Sequence, residues 1–158
     1  MVFEFGNYKL DIDVEKTREF YGRAGRITDG CTCQGCRNYE KWAASVWAEP
    51  KQTFEQMGVA MEKACEVYVN CQNEDGSVFY GGFYHLCGRI IHGDMVWEKV
   101  SENHAVLKEM SFAELCDGYQ VAFTDEIVLL ENDFPAPVIQ MEVMANIPWV
   151  LTEKYACD

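Results

Sequence analysis

Hydrophobic and polar positions alternate with a period of two at both ends of the chain and follow a helical period between them. Phe3 and Phe5 alternate with polar neighbours, Gly6-Asn7 is a two-residue turn signal, and Tyr8, Leu10 and Ile12 alternate on the return, which predicts a β-hairpin. Asp13 is placed to cap a short helix in which Val14, Thr17, Tyr21 and Ala24 recur at helical spacing, ending near Gly25. Tyr39, Trp42, Ala43, Val46 and Trp47 then mark the buried face of the strongest helix. Pro50 suits the first turn of a further short helix that carries Phe54 and Met57 and stops at Gly58.

Period two returns after this helical stretch. Cys65, Val67, Val69 and Cys71 alternate with polar or aromatic residues, Asp75-Gly76 turns the chain, and residues 65–92 read as a long hairpin. On its second strand Val78, Tyr80, Tyr84, Leu86 and Ile90 share one face; Phe83, His85, Cys87, Arg89 and Ile91 share the other. Ser111-Phe112-Ala113-Glu114 fits a capping box, with Met110 and Leu115 as a hydrophobic staple and Gly118 as a stop, so a short helix is expected there. Tyr119, Val121 and Phe123 alternate again, Ile127 to Leu130 is a short apolar run, and Asp133-Phe134-Pro135-Ala136-Pro137 breaks the chain. The last strand places Ile139, Met141, Val143, Ala145 and Ile147 on one face, opposite Gln140, Glu142 and Asn146. The expected architecture is a single α+β domain over residues 1–158: a largely antiparallel β-sheet built from both ends of the chain, with short helices inserted after an N-terminal hairpin.

Composition narrows the partners. The chain has 158 residues, 49% of them hydrophobic, which is enough for one core without disulfide support. Thirteen Lys+Arg against 26 Asp+Glu give a formal charge of -13, which repels phosphate backbones and anionic membranes and suits a basic protein partner. Nine acidic residues between Glu98 and Asp133 face only Lys99 and Lys108, the pattern of an acidic inhibitor that mimics nucleic acid toward a basic protein. With no apolar run of membrane-spanning length and no signal-peptide pattern, a cytoplasmic setting with reduced thiols is expected.

The densest chemistry is Cys31-Thr32-Cys33-Gln34-Gly35-Cys36, just ahead of the strongest helix. Three thiols at this spacing can share one metal, and zinc in a closed structural site needs a fourth ligand, for which Cys87 or His85 is the candidate. A second chemistry is thiol reactivity at Cys33 or Cys36, where a helix N-terminus and Arg37 would stabilise a thiolate. Arg18, Arg23 and Arg26 lie nearby in sequence, and Arg37 and Arg89 are the candidate contacts for a small anionic ligand. A third reading makes the cysteines small half-buried residues of a tight turn. Cys65, Cys71, Cys116 and Cys157 are not expected as ligands, the last because it falls in a frayed tail. No phosphate-binding loop and no nucleophile elbow is present, so a binding domain and a thiol-dependent enzyme both stay open.

The segments Cys31-Thr32-Cys33-Gln34-Gly35-Cys36-Arg37-Asn38-Tyr39, Gly81-Gly82-Phe83-Tyr84-His85-Leu86-Cys87-Gly88 and Ile147-Pro148-Trp149-Val150-Leu151 resemble a group of small acidic bacterial proteins of unknown function. That resemblance implies a bacterial, cytoplasmic setting and carries no functional residue across.

Overall fold

A computed structural model describes residues 1–46, 49–93, 97–108 and 111–156. The first hairpin pairs β1 (Val2–Phe5) with β2 (Tyr8–Ile12) around Gly6, whose positive φ of 53° suits glycine. Four short helices follow: α1 (Val14–Arg23), α2 (Ile27–Gly30), α3 (Gln34–Ser45) and α4 (Lys51–Gln56). Asp13 caps α1 by accepting the Lys16 N–H, and Gly58, at φ 85°, ends the helical stretch. After a single 3-10 turn at Met61–Lys63 come β3 (Glu66–Gln72) and the long β4 (Val78–His92). The small hairpin of β5 (Trp97–Ser101) and β6 (His104–Leu107) forms a sheet of its own. The chain then closes with β7 (Ala113–Cys116), β8 (Tyr119–Thr124) and β9 (Val138–Ile147).

The main sheet is antiparallel and runs β1-β2-β4-β9-β8-β7, with β3 also paired to β4, so both ends of the chain meet in it. β4 is the spine. One of its edges carries β9 along most of its length; the other carries β3 up to Phe83 and β2 from Gly88 onward. The interval between them would leave backbone groups of His85 and Cys87 without ladder partners, and α1 fills it. The Tyr21 hydroxyl receives the His85 N–H and donates to the His85 carbonyl, the Thr17 hydroxyl receives the Cys87 N–H, and the Asp13 N–H donates to the Cys87 carbonyl.

One face of the sheet, with Tyr80, Tyr84, Leu86, Met141 and Phe123, packs under α3, α4 and the 3-10 turn. Three tyrosine hydroxyls inside this core are linked to one another. Tyr39 of α3 shares hydroxyl hydrogen bonds with Tyr84 (2.7 Å) and Tyr119 (2.6 Å), and Tyr84 donates to the Met61 carbonyl. The opposite face is also buried around β4 and β9, where Phe83, His85, Gln140 and Glu142 lie beneath Phe134, the loop at Val128 and Trp97. Strict alternation predicts one solvated face; the loop between β8 and β9 folds over it instead.

The helix expected at Ser111 to Gly118 is a strand. β7 pairs with β8 through Ala113↔Val121, and Asp117-Gly118, with Gly118 at φ 78°, is the two-residue turn between them. A capping box is worth little to one isolated turn of helix, whereas ladder pairing and burial of Ala113 reward the extended chain. Met110 of the expected staple and Trp47 of the α3 pattern lie outside the described residues. The apolar run Ile127 to Leu130 is loop, with Val128 and Leu129 exposed. Among the described residues no helix is long and apolar enough to cross a membrane.

Candidate metal centre

The three loop cysteines are placed by helix ends. Cys31 caps the C-terminus of α2 with its N–H on the Ile27 carbonyl, and Cys33 is the N-cap residue of α3, its carbonyl receiving the Arg37 N–H. Cys36 lies one turn into α3, buried, with its Sγ 4.0 Å from the Val67 carbonyl of β3. Close approach of helix to sheet requires Gly35: a Cβ there would come within 2.8 Å of a Val69 methyl. The result is convergence. The Sγ atoms of Cys31, Cys33 and Cys36 all lie within 4.8 Å of one another, close enough to hold one metal ion.

Their environments differ. Cys31 is exposed, and the Cys33 backbone N–H, helped by the Cys33 and Cys36 thiols, holds its thiol below the ordinary value. Burial pushes the Cys36 thiol up, and hydrogen bonds with Cys31 and Cys33 act in the same direction. A metal ion held here would bind the thiolate form, so its uptake would release the thiol protons.

The other sequence candidates lie elsewhere. His85 and Cys87 are on the β4 face turned away from α3, since the neighbouring Tyr84 is the residue whose hydroxyl meets Tyr39. The His85 Nε2 is 3.0 Å from Gln140 Oε1, and the Gln140 amide donates to Glu142 at 2.7 Å, which assigns the proton to His85 Nε2. Burial lowers the His85 pKa against the opposing effects of Gln140, the Val128 backbone and Glu131, and burial raises that of Glu142. This is a buried polar chain that pins the Val128 loop to the sheet, the Val128 N–H also donating to Gln140. Cys87 has its Sγ 3.7 Å from the Ala136 carbonyl.

Three of the four arginines near the loop in sequence are engaged by carboxylates, and of these Arg37 also acts electrostatically on Cys33. Arg18 pairs with Glu15, Arg23 with Asp133, and Arg37 with Glu153 and the Thr32 carbonyl. Arg89 lines an open cleft of about 760 Å³ that it shares with Arg18 and with Asp11, Asp13 and Glu15, a mixed-charge wall with no bias toward anions.

Sequence reasoning missed the segment that follows β9. Asn38, fully buried in α3, donates to the Pro148 carbonyl (3.2 Å) and accepts the Val150 N–H (2.7 Å). Gln34 then holds Glu153, Lys154 and Ala156. The only local hint was the aromatic pair Trp149 and Tyr155, whose rings sit 5.2 Å apart. Cys157 lies outside the described residues.

No family model, curated protein or solved structure matches the chain.

Proposed function

We propose that the chain is a non-catalytic binding domain that holds one thiophilic divalent cation, zinc, through Cys31, Cys33 and Cys36. The observation that carries this reading is the convergence of the three sulfurs within 4.8 Å. Tetrahedral zinc with Zn–S bonds of about 2.3 Å sets sulfurs about 3.8 Å apart, so rotation of the exposed Cys31 and Cys33 side chains suffices to close the set. Thiolate-rich sites favour zinc over the harder divalent ions. His85 and Cys87 drop out of the ligand set because they face the other side of the sheet. The metal joins the end of α2 to the start of α3, with its fourth position open to a ligand other than the three cysteines, and fixes a loop on a surface whose net charge of -13 suits a basic protein partner. Reduced thiols fit a cytoplasmic setting.

Metal analysis of the chain purified without added zinc tests this. About one zinc per chain is expected, falling to background after Cys33→Ser with Cys36→Ser; substoichiometric metal in the wild type, or full occupancy in the double variant, refutes it.

A second reading, thiol-dependent chemistry, is favoured by one observation: Cys31 is exposed with its thiol held below the ordinary value, whereas Cys36 is raised. The nucleophile of that reading is therefore Cys31 rather than Cys36. Alkylation rates against pH for metal-free protein separate the two, since an activated Cys31 titrates below the ordinary thiol range near 8.5.

A further inference from the structure

We propose that Cys33 and Cys36 form a reversible oxidation site: hydrogen peroxide joins them in a disulfide, and the bound metal leaves. The release of metal rests on the three-cysteine reading above; the disulfide does not. Both residues belong to the start of one helix. Cys33 is the N-cap residue of α3 and Cys36 is the third residue of that helix, positions whose side chains lie together in a capping box. Cys33 makes no capping hydrogen bond to α3, so helix capping does not hold its thiol in place. Its Sγ already lies within 4.8 Å of the Cys36 Sγ. A disulfide sets the sulfurs about 2.05 Å apart, a difference that rotation of the exposed Cys33 side chain can supply.

Exposure separates the two roles. Cys33 is exposed, where dissolved peroxide reaches it, and Cys36 is buried against β3 with its Sγ 4.0 Å from the Val67 carbonyl. The Cys33 thiolate attacks one peroxide oxygen: an S–O bond forms, the O–O bond breaks, and hydroxide leaves. The Cys36 thiolate then attacks the Cys33 sulfur, so that the S–S bond forms, the S–O bond breaks, and a second hydroxide leaves. Two electrons pass from the sulfurs to the peroxide. In the metal-free chain the two thiol protons convert both hydroxides to water. Burial keeps Cys36 from direct attack, and its nearness to Cys33 intercepts the sulfenic acid before a second peroxide arrives. An exposed thiol without such a neighbour climbs to sulfinic acid instead.

Cys31 is the poorer partner for Cys33. A bridge between them would close a ring over Thr32 alone, and the backbone there is fixed: the Thr32 carbonyl accepts from Arg37 Nε at 3.0 Å, and the Cys31 N–H is bound to the Ile27 carbonyl at the end of α2. Short, stiff loops resist closure. The effect on the metal follows from ligand count. Three thiolates hold the ion in the reading above; after oxidation only Cys31 is left, too few protein ligands for a zinc site. In a reducing compartment such a disulfide is a transient signal rather than a permanent brace.

Peroxide treatment of the reduced full chain, followed by alkylation and peptide mass mapping, tests the proposal in two arms. In the metal-free arm, about one equivalent of peroxide should link Cys33 to Cys36 and leave Cys31 open to alkylation, and dithiothreitol should reverse the link. Cys31→Ser should form the same disulfide. Cys36→Ser should instead accumulate sulfinic acid at Cys33, which dithiothreitol does not reverse. Cys71→Ser, on β3, should match wild type. In the zinc-loaded arm, metal released to a colorimetric chelator should rise in step with the disulfide and be taken up again on reduction. A wild-type disulfide that uses Cys31, or irreversible oxidation of Cys33 in the wild type, overturns the assignment and leaves the zinc reading standing. Zinc retained by the fully disulfide-linked chain overturns the coupling of oxidation to metal release. A chain that forms the disulfide but takes up no zinc overturns the metal reading alone and leaves the oxidation site standing.

Discussion

Replacing Tyr84 by phenylalanine should cost far more stability than replacing Tyr119, although both hydroxyls belong to the same buried group. The reason is the direction of the hydrogen bonds. The Met61 carbonyl can only accept, so the Tyr84 hydroxyl donates to it, at 2.6 Å. Tyr84 must then accept from Tyr39, and Tyr39, its one proton committed, must accept from Tyr119. The chain runs Tyr119 to Tyr39 to Tyr84 to Met61. Burial pushes the Tyr39 hydroxyl up to about 12 and raises those of Tyr84 and Tyr119 well above their ordinary value, so every proton stays in place at neutral pH. Tyr119→Phe removes the first donor and orphans no proton, a loss of about 1 kcal/mol, one net hydrogen bond. Tyr84→Phe removes two bonds, strips the Met61 carbonyl of this donor and leaves one buried O–H with nowhere to point, together about 3–4 kcal/mol. Tyr39→Phe falls between, near ~2 kcal/mol, because Tyr119 is within reach of Tyr84 and can turn to it. For a domain of this size about 1 kcal/mol moves the melting temperature by roughly 2–4 °C, so the contrast is resolvable by urea denaturation and by calorimetry. Equal losses for Tyr84→Phe and Tyr119→Phe, or a loss below about 1 kcal/mol for Tyr84→Phe, would refute the directional chain.

Asn38→Ala should cost about 2–4 kcal/mol, since it leaves partners of three buried or half-buried hydrogen bonds unmet, and it should speed amide exchange at Val150, whose N–H the Asn38 side chain accepts; unchanged protection at Val150 would sink the claim that α3 anchors this segment. His85 sets a pH dependence. Its folded pKa is lowered from 6.5 by burial, so the unfolded chain binds the proton more tightly, and stability falls as pH drops below about 6.5 until the folded imidazole also protonates. Glu142 works the other way, its raised pKa making the folded state bind a proton more tightly than the unfolded chain above 4.5, and Glu131 is the carboxylate that acts on His85. His85→Gln should flatten the loss of melting temperature on the acid side of 6.5; an identical slope in wild type and variant would show that the histidine is not its source.

Local chemistry was legible in the chain alone. Period-two alternation with Gly6-Asn7 and Asp75-Gly76 determines the two hairpins, and Asp13 with the spacing from Val14 determines α1, because backbone sterics and short-range hydrogen bonds act within a few residues. The convergence of Cys31, Cys33 and Cys36 is of the same kind, since six residues at a helix start cannot separate far. Where two local readings competed, tertiary structure decided. Ser111 to Gly118 reads locally as a capped helix, and only the presence of β8 as a ladder partner selects the strand. His85 and Cys87 are adjacent to the cysteines in chemistry but not in space, because alternate residues of β4 point to opposite sides and the side that receives α3 depends on how helix and sheet pack. The docking of residues 148–156 on Gln34, Arg37 and Asn38 joins positions more than a hundred apart in sequence, so no local pattern encodes it; it exists only once β9 has delivered the chain to the first turn of α3.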